Sequence, residues 1–130
     1  YYGVLFDTGV DEAAKSFGLG WDYTSGGTHT TYSAEFSIRY VRELHLGDKV
    51  RVSFRLLDVG PKSHHFCQEL IHSDGWVAAT GEGISLHIDQ SGPRVAPYPA
   101  GIKAKLDTTL VEHAKSPVPD WVGSPMRIRK

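Results

Sequence analysis

Residues 2–18 read Tyr2-Gly3-Val4-Leu5-Phe6-Asp7-Thr8-Gly9-Val10-Asp11-Glu12-Ala13-Ala14-Lys15-Ser16-Phe17-Gly18. Leu5, Phe6, Gly9, Val10, Ala13, Ala14 and Phe17 recur at three- and four-residue steps, and Asp7, Asp11, Glu12 and Lys15 fall between them. That spacing predicts an amphipathic helix from about Tyr2 to Phe17. Gly18 supplies the stop, where a left-handed residue is usually needed. No polar cap precedes Val4, so residues upstream of Tyr1 are expected in the natural protein.

The chain downstream changes period. Gly20 to Thr28 is rich in Gly, Ser and Thr and reads as a loop carrying the aromatics Trp21 and Tyr23. Thr30 to Val41 then alternates strictly, with Tyr32, Ala34, Phe36, Ile38 and Tyr40 on one side and Ser33, Glu35, Ser37 and Arg39 on the other. A period of two marks a half-buried strand. A second strand follows the Gly47-Asp48 turn, with Val50, Val52, Phe54 and Leu56 inward, and Gly60-Pro61 breaks it. A third runs from about Ser63 to His72, and Ser73-Asp74-Gly75 signals a hairpin. A fourth spans Trp76 to Asp89, with Ala78, Thr80, Ile84, Leu86 and Ile88 on one face. Gly81 and Gly83 within it point to a bulge or a close backbone approach.

Short turns favour antiparallel neighbours, and a sheet with one apolar face needs a cover. The early helix is the element available, so the expected class is α+β, an antiparallel sheet wrapped around a long N-terminal helix. A C-terminal helix is expected over about Ala100 to Ala114, with Ile102, Leu106, Leu110 and Val111 inward. Residues 1–115 thus form one domain. Residues 116–130 form a tail with Pro117, Pro119 and Pro125 and the basic Arg127, Arg129 and Lys130.

Composition narrows the function classes. A net charge of −1 over 130 residues gives no basic field, so nucleic acid is a poor partner. No apolar run reaches the length of a membrane span. The lone Cys67 forms no internal disulfide and belongs to no CxxC pair, which fits a reducing cytoplasm and argues against a zinc site.

Three motifs in order carry a family resemblance: Tyr1-Tyr2-Gly3-Val4-Leu5-Phe6, then Tyr40-Val41-Arg42-Glu43-Leu44-His45-Leu46-Gly47-Asp48, then Leu57-Asp58-Val59-Gly60-Pro61-Lys62-Ser63-His64-His65-Phe66. With the Asp74-Gly75 hairpin, they resemble the hotdog-fold acyl-CoA thioesterases of the 4-hydroxybenzoyl-CoA thioesterase class. Within it the sequence is most similar to the betainyl-CoA thioesterases that accompany carnitine breakdown. The resemblance implies a hotdog fold and hydrolysis of a short polar acyl-CoA thioester, with no cofactor or metal beyond the coenzyme A of the substrate. It also implies a homodimer or dimer of dimers with substrate at the subunit interface. It locates the catalytic carboxylate on the loop before the central helix, together with an N-terminal strand, both upstream of Tyr1. Asp7 and Asp11 lie too far along the helix for that role, and Glu12 is the second choice. Backbone N–H groups at the helix start suit an oxyanion.

For coenzyme A binding the resemblance points to Lys62 and Ser63, whose ammonium and hydroxyl suit a phosphate. The competing reading is a solvated loop. His64 and His65 face opposite ways on a strand, so at most one meets a site, and each also reads as a hydrogen-bonded structural group. Trp21 and Tyr23 offer aromatic faces to a quaternary ammonium, or simply cover the helix end. Tyr2, at the helix start, joins the substrate-contact candidates, and Trp76 reads equally as an interface residue. Cys67 reads as packed. Two rival readings stand beside the thioesterase: a non-catalytic hotdog module that binds an acyl-CoA or related ligand, and a dehydratase of the same fold. The dehydratase ranks last because the helix holds no His.

Overall fold

The computed structural model describes residues 2–123. In chain order it contains α1 (Tyr2–Phe17), α2 (Trp21–Gly26), β1 (His29–Tyr40), β2 (Val50–Val52), β3 (Arg55–Val59), β4 (Ser63–His72), β5 (Val77–Asp89), β6 (Arg94–Val95) and α3 (Ala100–His113). Six strands form one antiparallel sheet in the order β1-β5-β4-β2; β3 also pairs with β4, and β6 with β5. The first strand therefore does not hairpin onto the second. It crosses to β5 and pairs with it from His29↔Asp89 to Tyr40↔Ala79.

The long helix forms as its spacing predicts, and Gly18 ends it at φ +85°. Phe6 and Phe17 are buried against the sheet, while Asp7, Asp11, Glu12 and Lys15 are exposed. The centre of α1 lies very close to the sheet. A Cβ added at Gly9 would sit 2.7 Å from both Gln68 Nε2 and Val52 Cγ1, and Gln68 Nε2 donates to the Phe6 carbonyl at 3.0 Å. Two apolar clusters flank this contact. One gathers Phe6, Leu70, Ala78 and Ala79. The other gathers Phe17, Leu19, Leu56, Phe66, Tyr98, Ile102 and Leu106.

Several expectations are corrected. Gly20 to Thr28 is not all loop: the Gly20 carbonyl accepts from the N–H groups of Tyr23 and Thr24, starting the one-and-a-half turns of α2. Tyr32 and Ala34 do not share a buried face with Phe36, because a bulge between Ser33 and Glu35 shifts the register and flips the parity; Tyr32 is half-exposed. The expected strand over Val50–Leu56 is interrupted at Ser53 and Phe54, where the Ser53 hydroxyl accepts the Glu69 N–H in place of a carbonyl.

The inner face of β5 also differs. Ile84 and Leu86 lie half-buried on the far side, while Gly81, Gly83, Ser85 and His87 are buried. The glycines mark close approaches. A Cβ at Gly81 would meet Phe36 at 2.9 Å and Phe6 at 3.4 Å, so neighbouring rings pave the face that the strand leaves bare. The bulge in β5 falls instead beside Ala78, between the Leu70 and Ile71 pairings. On α3, Ile102 and Leu106 are buried and Leu110 packs beside them, but Val111 is exposed, one residue off the inward stripe.

Past α3, residues 114–123 contain no helix or strand. Arg55 donates to the carbonyls of Ser116 (2.5 Å) and Pro117 (2.7 Å), and Glu82 Oε1 accepts the Gly123 N–H at 2.8 Å. These contacts lay the segment over the outer face of the sheet. Tyr1 and the tail residues Pro125, Arg127, Arg129 and Lys130 lie outside the described residues.

Candidate active site

The residues singled out from sequence separate to the two ends of α1. Tyr2 and Phe17 are fifteen steps apart, about 22 Å at 1.5 Å per residue. At the first end, the half-buried Tyr2 accepts the Leu44 N–H on its hydroxyl at 3.2 Å, and its ring lies 5.0 Å from Tyr40. Trp76 stacks on His72 at 4.4 Å, and the Arg42 guanidinium carbon lies 4.1 Å from the Trp76 ring centroid, so this aromatic is engaged within the chain. Val4 in the first turn of α1, and Tyr40, Val41 and Leu46 on β1 and the loop after it, are exposed. A helix start carries unpaired N–H donors and a partial positive charge, which can hold an oxyanion. Glu12 lies further along, on the exposed face, 3.2 Å from Lys15 Nζ.

The other end is built on β4, β5 and the segment after β6. His64 follows Lys62 and Ser63 and turns inward, because β4 alternates from there through Phe66 and Gln68 to Leu70. His65 turns outward and bonds Glu82 at 2.7 Å. Lys62 is exposed and Ser63 partly buried; their carbonyls accept the N–H groups of His87 and Gly60. His64 Nδ1 lies 2.7 Å from the Tyr98 hydroxyl. Burial lowers its pKa to about 4, so the ring is neutral near pH 7, and burial raises the Tyr98 hydroxyl. Tyr23 reaches in from α2, its hydroxyl 2.8 Å from His87 Nε2, and burial raises its pKa as well. His87 Nδ1 donates to the Ala96 carbonyl at 2.9 Å, which leaves Nε2 to accept from Tyr23. His29 stacks on His87 at 5.2 Å. Trp21, by contrast, is 76% exposed and faces away from this assembly's interior.

Under the second half of α1 a small cavity opens between helix and sheet. Val10, Ala14, Phe17, Leu19 and Phe54 form its apolar wall, and Thr31, His64 and Ser85 its polar floor. Sequence reading missed His87, Tyr98 and Ser85. The one available signal was the polar pair Ser85 and His87 at alternate positions of an otherwise apolar strand, which ordinarily marks the solvent side. Among the described residues, no group of three or more His, Cys, Asp or Glu side chains is placed to hold a metal ion. No described helix is long and apolar enough to cross a membrane.

Comparison with known proteins gives this geometry a family. The family model described as the thioesterase-like superfamily matches residues 1–106. An L-carnitine dehydrogenase/betainyl-CoA thioesterase of Agrobacterium fabrum is 33% identical over 127 residues, covering 98% of this chain and 26% of that protein. A betainyl-CoA thioesterase of Pseudomonas aeruginosa is 27% identical over 124 residues, covering 95% of this chain and 78% of that protein. The chain spans about a quarter of the length of the first of these relatives. Among solved structures, a hypothetical protein of Staphylococcus aureus in complex with CoA superposes with a TM-score of 0.92 at 24% identity, over 98% of this chain and 81% of that one. The DHNA-CoA thioesterase of Staphylococcus aureus superposes with a TM-score of 0.77 at 13% identity, over 90% and 81%. A family match over most of the chain, on an antiparallel sheet that cradles one long helix, means that the chain has the hotdog fold and belongs to the thioesterase-like superfamily.

Proposed function

We propose that this chain is the hotdog unit of an acyl-CoA thioesterase that hydrolyses a short polar acyl thioester, with betainyl-CoA as the first candidate. The observation that carries the reading is shared by two kinds of relative. The chain matches, over nearly its whole length, proteins named for a dehydrogenase and a betainyl-CoA thioesterase together, and one named for the thioesterase alone. The CoA-bound neighbour adds support for coenzyme A as the handle of the substrate.

The reading requires three parts. A carboxylate on the segment before α1, the position the family resemblance implies, directs water onto the thioester carbonyl. Amide donors at the start of α1 stabilise the developing oxyanion. Lys62 and Ser63 hold the nucleotide phosphates or pantetheine, Tyr2, Tyr23 and His64 line the route to the acyl group, and the exposed Trp21 stands outside it at the rim. Metal chemistry has no part in this scheme.

A homodimer joins the two ends of α1. Among the described residues β1 pairs on one edge alone, with β5. Two copies joined antiparallel through the free edges set His29 of one beside Tyr40 of the other. The Tyr2 end of one helix then lies near the Tyr23, His64 and His87 end of its partner, and a complete site forms twice. The cytoplasm is the compartment this reading expects, where CoA thioesters are made and Cys67 stays reduced.

The test is thiol release from a panel of acyl-CoA thioesters by the full-length protein, with light scattering to give its mass. Turnover of betainyl-CoA above unsubstituted acyl groups, by a dimer or a multiple of it, is expected. No turnover of any member sinks the enzyme reading, and a monomer sinks the shared site.

A further inference from the structure

The cavity floor has a hydrogen-bonding polarity to which the thioesterase reading, though it sets His64 on the route to the acyl group, gives no partner. His64 is 6% exposed and Ser85 7%; they are direct cross-strand partners on β4 and β5. Thr31, on β1, lies one pleat along, opposite His87, and lines the same cavity. His64 Nδ1 is committed to the Tyr98 hydroxyl. That hydroxyl has no other partner among the described residues. Its hydrogen therefore goes to Nδ1, since the reverse arrangement strands a phenolic hydrogen in the interior. A neutral imidazole that accepts at Nδ1 carries its own hydrogen on Nε2. Among the described residues Nε2 has no partner, and neither do the hydroxyls of Thr31 and Ser85.

Three polar residues with such groups thus line a cavity whose other walls are Val10, Ala14, Phe17, Leu19 and Phe54. The enclosed part admits little more than one water-sized group. We propose that this cavity is a subsite for a single neutral oxygen of the substrate, a carbonyl or hydroxyl on an aliphatic stem, which accepts from His64 Nε2–H while Thr31 and Ser85 complete its shell. Two parts of an acyl-CoA carry that chemistry: the amide carbonyls of the pantetheine arm, and an oxygen substituent on the acyl chain. A quaternary ammonium has no lone pair for the His64 donor, so the subsite is distinct from any aromatic contact to a betaine headgroup. Tyr98 is a positioning residue: it touches no ligand and fixes which imidazole nitrogen holds the hydrogen.

The inference rests on the acyl-CoA reading for its ligand, and the experiment separates the two. In full-length protein, imidazole nitrogen NMR reports the Nε2–H form of His64 in wild type and a mixture of forms in Tyr98→Phe. Pantetheine, which has no thioester to cleave, is titrated against that signal, so binding is read without turnover. Hydrolysis is then compared for acyl-pantetheine against the acyl thioester of ethanethiol, and for 3-oxobutanoyl-CoA and 3-hydroxybutanoyl-CoA against butanoyl-CoA.

In His64→Phe the preference for the oxygen-bearing member of one pair falls by about tenfold, the worth of one neutral hydrogen bond. His64→Gln, which returns a donor, restores part of it. The pair that responds names the source of the oxygen. All preferences unchanged within twofold in His64→Phe and Ser85→Ala, with His64 unmoved by pantetheine and by 3-oxobutanoyl-CoA, overturn the subsite and leave a bound water as its occupant. If His64→Phe does not fold, Ser85→Ala and the wild-type titrations decide alone. Hydrolysis absent with every thioester while pantetheine still shifts His64 overturns the enzyme reading and keeps the subsite.

Discussion

Replacing Gly83 by alanine tests how tightly the sheet face is closed. Gly83 lies in β5 between two partners, Phe36 on β1 and Phe66 on β4. An added Cβ would sit 2.7 Å from Phe36 Cδ1, 2.8 Å from Phe66 Cζ and 3.0 Å from the Glu35 carbonyl oxygen. Relaxed carbon contacts fall at about 3.5–4.0 Å, so both rings must withdraw by most of an ångström. Phe66 has little room to do so, being 2% exposed and stacked on Phe54 at 5.1 Å. Phe36 meets Phe6 at 5.8 Å, and the third contact is backbone. Overpacking of this kind costs about 1–3 kcal/mol, and two immobile neighbours argue for the upper end. The reduced freedom of the unfolded chain returns about 0.4–1 kcal/mol, leaving a net loss of about 2 kcal/mol.

Urea unfolding, followed by tryptophan fluorescence and far-ultraviolet circular dichroism, reads this directly. With a slope of about 1–3 kcal/mol per molar, the midpoint falls by about 1 M at unchanged slope. Gly101→Ala is the control. It lies in α3 with nothing within 4 Å of its added Cβ, and alanine there stabilises by up to about 1 kcal/mol. A Gly83→Ala midpoint equal to or above wild type would refute the close approach.

Three further outcomes follow from other contacts. The buried His64 has a folded pKa lowered to about 4, below its unfolded value of 6.5, so the unfolded chain binds the proton more readily. Stability is complete above pH 6.5 and falls as the pH drops toward 4, by up to about 3 kcal/mol. His113 adds to the same trend, its pKa lowered by burial and then by Arg55; urea midpoints between pH 7 and 4.5 should fall steeply in wild type and less so in His64→Gln. Arg55→Met removes both bonds to the Ser116 and Pro117 carbonyls, and should cost about 1–2 kcal/mol and speed chymotryptic cleavage at Trp121; unchanged cleavage would mean that the segment is held elsewhere. The Cys67 thiol is buried and its pKa is pushed up to about 11 by that burial, so an aromatic disulfide reagent at pH 8 should label it only on unfolding.

The parts legible in sequence are those governed by local periodicity. The α1 stripe, the Gly18 stop and the Ser73-Asp74-Gly75 hairpin needed no distant partner to define them. What sequence left illegible depends on pairing. One extra residue near Ala34 reverses the faces of β1, and nothing in the residue itself announces it. The inner face of β5 was misread because its glycines yield their space to Phe6, Phe36 and Phe66, while Ile84 and Leu86 look the better core. The site was harder still. Tyr2 and His64 each follow from motifs, but only the fold reveals that a helix length separates them. His87 and Tyr98 enter through a hydrogen-bond network that no linear spacing encodes.

The near-contact at Gly9 bears on how such a protein can diversify. With Gln68 and Val52 already at the limit there, even a methyl group on α1 would lever the helix away from the sheet. The middle of the molecule is therefore closed to innovation. New substrate range has to be sought at the two extremities, among residues such as Tyr2, Tyr40 and Leu46 at one and Tyr23, Thr31 and Ser85 at the other. A mutational library confined to those extremities should retain folded members far more often than one that includes Gly9, Gly81 and Gly83.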